Sequence, residues 1–228
     1  MACDAPGSWA NYAAGVGLDG PVSGQTLDEL VQFYRQYDRP ARIHLTPYQH
    51  PSLAHGLDRM GFVPIDHDVV LLHRLRSISD IPLDAVNFRR VSPNNTADVD
   101  AFCQSQAHGH LENQAPLPGF TAITRRVTQS PVVMCWLIEK NGVVVGSGGL
   151  EVHGHRGTMI AACTHPGSRG LGIQTAFMAF RMQRAAEQGV RLLTVASMPG
   201  GTTENNARRL GFLPAYSFET LSLSNSRK

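Results

Sequence analysis

The sequence predicts an α/β protein on three observations. Strand-like and helix-like patterns alternate along its 228 residues, a tight-turn signal joins two apolar runs, and a strand–helix–strand pattern recurs near both ends. Hydrophobic residues at 42% and charged residues at 17% describe a globular chain able to bury a sizeable core. The length accommodates one large unit, or a domain with a partial companion.

Ser8 to Leu18 reads as a strand, broken by Gly15, Gly17, Gly20 and Pro21. A helix over residues 26–38 follows, with Thr26 and Glu29 as a capping box and Leu27, Leu30, Val31 and Tyr34 on one apolar stripe. Arg42–Thr46 is a short strand. Pro51 opens a helix that Gly61 stops in the left-handed conformation, and Phe62–Leu75 is a long strand. Arg76–Val86 has few core-forming positions and reads as a connection, giving units at 1–76 and 87–228 with a linker at 77–86.

A strand at Phe88–Val91 leads to a helix from Thr96, with Val99, Phe102 and Cys103 inward, and a second helix covers Phe120–Thr128. Val132–Ile138 and Val143–Glu151 form a hairpin, because Asn141-Gly142 supplies the positive φ angles of a tight turn. The remaining order is strand Met159–Thr164, helix from Ile173 to Gly189, strand Leu192–Ala196, helix Thr203–Leu210 stopped at Gly211, and strand Phe212–Leu223. Residues 40–75 and 190–223 both run strand, turn, short helix, Gly-Phe-x-Pro, strand, which reads as a duplication.

A formal charge of +2 without a Lys/Arg cluster gives no reason to expect nucleic acid or an acidic membrane surface. Cys3, Cys103, Cys135 and Cys163 are widely spaced, so neither a disulfide framework nor a structural zinc site is expected. Reduced thiols, a first segment without a leader pattern and the absence of a long apolar run point to a cytoplasmic protein.

The segment Met159 to Phe177 carries the chemistry. A strand of small residues enters a Gly-rich turn that opens an amphipathic helix, whose first N–H groups have no intrahelical partner. Gly170 and Gly172 let the backbone approach an anion, and the positive end of the helix dipole favours a pyrophosphate there. Neither a Walker sequence nor the dinucleotide Gly-x-Gly-x-x-Gly is present.

This loop resembles that of the GNAT acyltransferase superfamily, whose coenzyme A loop reads Arg/Gln-x-x-Gly-x-Gly/Ala after a Val-x-Pro-like turn. The matching residues are Arg169, Gly172 and Thr164-x-Pro166, with Gln174 at the last position instead of Gly or Ala. The order of elements from 87 to 228 is similar to that family as well. The resemblance implies a mixed, largely antiparallel sheet flanked by helices, with the strand before the loop splayed from its neighbour. It implies acetyl-CoA as co-substrate, with backbone at Ala162, Cys163 and Thr164 meeting the pantetheine and thioester. The amides of Arg169, Gly170, Leu171, Gly172, Ile173, Gln174 and Thr175 would surround the pyrophosphate, and Thr203 or Asn206 would touch the pantetheine arm.

Transfer to an amine needs a neutral nucleophile, a stabilised oxyanion and a proton for the leaving thiolate. Glu151 is the candidate base, and His153 shares its strand face. Family members often carry a thiolate-protonating tyrosine where this chain has Ala207, so that either Tyr216, Ser197 or water takes that role or the thiolate leaves without a dedicated acid, which a thiol's reference pKa of about 8.5 tolerates. Cys163 reads as a packing residue without an evident base partner, and no metal is expected from His153, His155 and His165. The expected activity is N-acetyltransfer by direct attack on a small-molecule or peptide amine acceptor chosen by the Gly109–Gly119 region, with a homodimer left open. The alternatives are a non-catalytic CoA-binding protein and a scaffold without cofactor. The first unit, 1–76, is expected to bind no coenzyme.

Overall fold

The computed structural model describes residues 11–75, 86–111 and 118–223. Cys3, nearly all of the expected linker and much of the Gly109–Gly119 region lie outside the described residues. The chain forms two compact units, Met1–Val70 with Tyr216–Lys228, and Leu71–Ala215. Among the described residues no helix is long and apolar enough to cross a membrane.

The first unit contains α1 (Gly24–Gln36), β1 (Ala41–Leu45), α2 (Pro51–Met60), most of β2 (Val63–Arg74) and, from the other end of the chain, most of β8 (Leu213–Leu223). Its strand order is β1-β8-β2, with β1 antiparallel to β8 and Ala41 opposite Leu223. Leu27, Val31 and Tyr34 of α1 and Leu53 and Leu57 of α2 bury their apolar faces with Ala41, Ile43 and Leu221. Each fully buried leucine there contributes about 1.5–3 kcal/mol.

Two expectations need correction. The cap of α1 is Ser23, whose hydroxyl accepts the Thr26 N–H at 3.1 Å, while Glu29 accepts from the Gln25 side chain at 2.9 Å. Ser23 is extended and one turn earlier than Thr26, so the helix starts there and Thr26 falls inside it. The strand expected over Ser8–Leu18 is, within the described residues, a single parallel bridge between Ala13 and Ile43. Gly15 and Gly17, at φ 82° and 79°, turn the chain before a ladder extends.

The second unit contains the end of β2, then β3 (Asn87–Arg90), α3 (Thr96–Leu111), α4 (Pro118–Gln129), β4 (Val133–Lys140), β5 (Val143–His153), β6 (Arg156–Thr164), α5 (Ile173–Glu187), β7 (Leu192–Ser197) and α6 (Thr202–Arg209). Its strands run in the order β7-β6-β5-β4-β3, antiparallel except for the parallel β6–β7 pair, which is the mixed, largely antiparallel sheet expected. Asn141 at φ 52° and Gly142 at φ 76° make the β4–β5 turn. Phe88, Trp136, Phe177 and Phe180 form a ring cluster with centroid separations of 4.4–6.2 Å. Packed on both β5 and β6 and on α4, α3 buries Ser105 and Gln106 along with Val99 and Phe102.

The two strand–helix–strand segments end their helices alike. Gly61 at φ 80° follows α2, and the Phe62 N–H reaches Leu57 O at 3.0 Å. Gly211 at φ 85° follows α6, and the Phe212 N–H reaches Ala207 O at 3.0 Å. Left-handed glycine closes both helices by satisfying late carbonyls, and the following phenylalanine is buried in each case.

Candidate functional site

The site lies within the second unit. The site begins with a bulge. Ser147 lies opposite Cys163 and Gly149 opposite Ile160, so Gly148 faces both Ala161 and Ala162. Ala161 takes φ 50°, rare for a side-chain-bearing residue. A Cβ at Gly148 would lie 2.6 Å from the Phe177 ring and 3.1 Å from Ala162 Cα, so only glycine fits.

Two buried side chains hold the bulge. Gln106 of α3 donates to Ala161 O at 2.6 Å and to the Ser147 hydroxyl at 2.9 Å. Arg181 of α5 donates to Gly149 O at 3.0 Å and stands over the Phe177 ring at 4.3 Å. Burial pushes its pKa down to about 9, which leaves the guanidinium charged at neutral pH.

Beyond the bulge the strands part. Pairing of β6 with β7 runs from Arg156–Leu192 to Met159–Val195 and stops, although β6 continues to Thr164 and β7 to Ser197. The wedge opens into a cavity of about 850 Å³ lined by Ala162, Cys163 and Thr164 on one side and Ser197 and Met198 on the other. Among the described residues the Thr164 hydroxyl is buried there without a hydrogen-bond partner. At the mouth lies the Gly-rich loop, with Gly170 and Gly172 at φ 77° and 75°. Among the described residues no side chain caps α5 at Gly172, so its first-turn N–H groups lack a local acceptor where Gly172 to Thr175 line the cavity.

The loop is fastened by its own polar residues. Arg169 donates to Thr164 O at 3.3 Å and to Gly109 O at 3.1 Å, tying the loop to β6 and to the end of α3. Gln174, where the family pattern has Gly or Ala, donates to the Thr203 hydroxyl at 2.9 Å and accepts from Asn206 at 3.0 Å. It thereby links α5 to α6. Of the residues read from the sequence as cofactor-binding, Ala162, Cys163, Thr164, Arg169, Gly170, Gly172, Ile173, Gln174, Thr175, Thr203 and Asn206 line the cavity. Leu171 does not, and its side chain is exposed at the turn.

Cys163 is buried against α3. Its thiol donates to Ser105 O at 3.4 Å, and burial raises its pKa, which suits packing and not nucleophilic attack. Glu151 and His153 hydrogen-bond each other at 2.7 Å on a solvent-accessible stretch of β5 and do not line the cavity. Glu151 lies opposite Thr158, four residues or roughly 13 Å of strand from Ala162. His155 bonds to Gly189 O and His165 to the Ser105 hydroxyl. Among the described residues no group of three or more His, Cys, Asp or Glu is placed to hold a metal ion. Ser197 lines the cavity and donates to Met198 O, whereas Tyr216, in the first unit, packs edge-on to Tyr48.

Sequence reasoning missed Arg209 and His110 as cavity residues. His110 sits near the end of α3, open to solvent, while desolvation by the protein packed around its ring and the Arg169 charge hold its pKa below the ordinary imidazole value. Nothing in its local pattern distinguishes it from His108, which faces His165 instead.

Solved structures share this fold. A GCN5-related N-acetyltransferase from Kribbella flavida superposes with a TM-score of 0.65 at 19% identity, covering 87% of this chain and 74% of that one. One from Sphaerobacter thermophilus gives 0.66 at 15%, covering 87% and 65%. A tandem GNAT protein from the clavulanic acid biosynthesis pathway gives 0.61 at 14%, covering 87% and 68%. No curated protein matches the sequence. Residues 100–214, half of the chain, match the profile of the acetyltransferase (GNAT) family, with the bulge, the wedge and the Gly-rich loop all inside that span. The chain belongs to the acetyltransferase (GNAT) family.

Proposed function

We propose that this chain is an N-acyltransferase that moves acetyl from acetyl-CoA to a small-molecule or peptide amine by direct attack. The observation that carries the reading is the double lining of one cavity. The uncapped start of α5, with left-handed Gly170 and Gly172, suits a pyrophosphate. The unpaired edge of β6, with the lone Thr164 hydroxyl, suits an amide-bearing arm laid along it like a further strand. The co-substrate supplies an activated thioester carbonyl. The chain's own part is to hold that group, to present β6 amides where oxyanion charge develops, and to keep the attacking amine neutral.

For the last task two sets of residues compete. Glu151 with His153 is a ready proton-accepting pair, by their mutual hydrogen bond. His110 is favoured by its place on the cavity wall and by an environment that keeps its ring unprotonated. For the departing thiolate, Ser197 is the cavity hydroxyl nearest in role to the tyrosine replaced by buried Ala207.

We read 87–228 as the catalytic portion and 1–76 as a partial related unit without a coenzyme site. The matching helix caps at Gly61 and Gly211 support the relation. The Ser23 side chain, which occupies a first-turn amide of α1, supports the missing site. Isothermal titration should give one CoA per chain, acetyl-CoA should raise the thermal midpoint, and a panel of primary amines should release free thiol. No midpoint shift at millimolar ligand would remove the coenzyme reading. A shift without turnover on any amine would leave a non-catalytic CoA-binding protein.

A further inference from the structure

We infer that the first unit holds a ligand site of its own, a pocket for a small zwitterion of the amino-acid type, with Arg42 receiving a carboxylate and Asp66 and Asp68 an ammonium. This does not rest on the acyltransferase reading. The pocket, about 370 Å³, is formed entirely by first-unit residues. On β1, Ala41 and Ile43 face the apolar core, so Arg42 and His44 stand on the opposite face of the sheet. β8, the middle strand, adds Phe218, and β2 adds the two aspartates.

The floor is aromatic. The His44 ring stacks on Tyr12 at 3.9 Å and lies 4.5 Å from Phe218. Burial keeps His44 below its ordinary pKa against the opposing pull of the Asp66 charge, so the ring is uncharged at neutral pH and the charges that matter are those of Arg42, Asp66 and Asp68.

Those charges do not meet. Arg42 makes no side-chain hydrogen bond or ion pair among the described residues, and its Nε is buried without a partner. Asp68 is half-buried and equally unpaired, while the carboxylate of Asp66 accepts only from the His67 N–H at 2.9 Å. With β8 between them, the backbones carrying the cation and the anions are two strand spacings apart, roughly 10 Å. Arg42 and Asp68 are half-buried and Asp66 is exposed beside them, and among the described residues of this pocket the Arg42 Nε is the buried polar side-chain atom left without a partner. A ligand with one charge would leave the other side of this pocket unsatisfied. A zwitterion answers both, since guanidinium takes a carboxylate by two parallel bonds and an ammonium has three donors to share between two carboxylates.

The test uses the full chain and three probes of nearly equal size: L-phenylalanine, whose ring has Tyr12 and Phe218 to pack against, its N-acetyl derivative, which keeps only the carboxylate, and its methyl ester, which keeps only the ammonium. Calorimetric titration should show L-phenylalanine binding at least about tenfold more tightly than either blocked form. Arg42→Met should abolish the preference over the methyl ester, with Arg42→Lys retaining part of it. Asp66→Asn with Asp68→Asn should abolish the preference over the N-acetyl form. No binding of L-phenylalanine at about 10 mM, or equal binding of either blocked form, would overturn the assignment. The wild-type comparison decides this even where a variant folds poorly.

Discussion

Gly172 is the position where the conformational and the binding demands of the loop can be separated. Its φ of 75° is left-handed, and a Cβ built there meets nothing within 4 Å. Gly172→Ala therefore meets strain and no clash, costing about 1–2 kcal/mol of stability. For a unit of this size that is a fall in the thermal midpoint of roughly 2–8 °C. Asparagine tolerates the left-handed region, so Gly172→Asn should recover much of that loss. Binding should behave differently. The open space beside Gly172 is the approach to the uncapped start of α5, and any side chain obstructs it. Losing a hydrogen bond to a charged group costs about 1.5–3 kcal/mol, so CoA affinity should drop about ten- to a hundredfold in both variants. Gly172→Asp should lose more, through repulsion of the pyrophosphate. Differential scanning fluorimetry and calorimetric titration on the same preparations give the two quantities. Full CoA affinity in Gly172→Asn would mean that the glycine serves only the turn, and would refute the loop as the anion site.

Gly109→Ala would place a Cβ 2.5 Å from both Cβ and Sγ of Cys163, so α3 must retreat from β6. Chemical denaturation should show a loss of about 1–3 kcal/mol, and Cys163→Gly in the same chain should restore part of it; an unchanged midpoint would contradict the close packing. The competing bases make opposite forecasts. If His110 accepts the proton, the rate with an amine falls as pH drops through a pKa below the ordinary 6.5 of imidazole, because the ring must be neutral to act. His110→Gln should then abolish that acid limb while leaving CoA affinity intact, and Glu151→Gln should leave it in place. The reverse pattern would assign the task to Glu151 and His153.

Local chemistry made much of the fold legible in the sequence. Asn141-Gly142 encodes its hairpin, Gly61 and Gly211 encode helix ends, and Gly170 and Gly172 mark the turn before α5, because each requirement is met within a few residues. Where two local solutions compete, reading by pattern erred. Ser23 and Thr26 both suit the cap of α1, and the extended conformation at Ser23 selects it. The rest depended on distant partners. Ala161 carries no signal for its left-handed φ, which arises from register between β5 and β6, and Arg181 is buried beside that bulge, donating to Gly149 O over the Phe177 ring. Gln106 turns inward because α3 is covered on several sides, so the usual separation of apolar and polar faces is lost. The strand Phe212–Leu223 is plain in the sequence, but its pairing with β1 is not, since apolar alternation fixes which face is buried and leaves the neighbour open. Most of the strands and the Asn141-Gly142 turn were thus determined by the sequence alone, the strand expected over Ser8–Leu18 being the exception. Where β6 leaves β7, what lines the resulting cavity and which charges face one another across the pocket of the first unit were decided by the tertiary structure, because each depends on residues far apart in the chain meeting at a particular register.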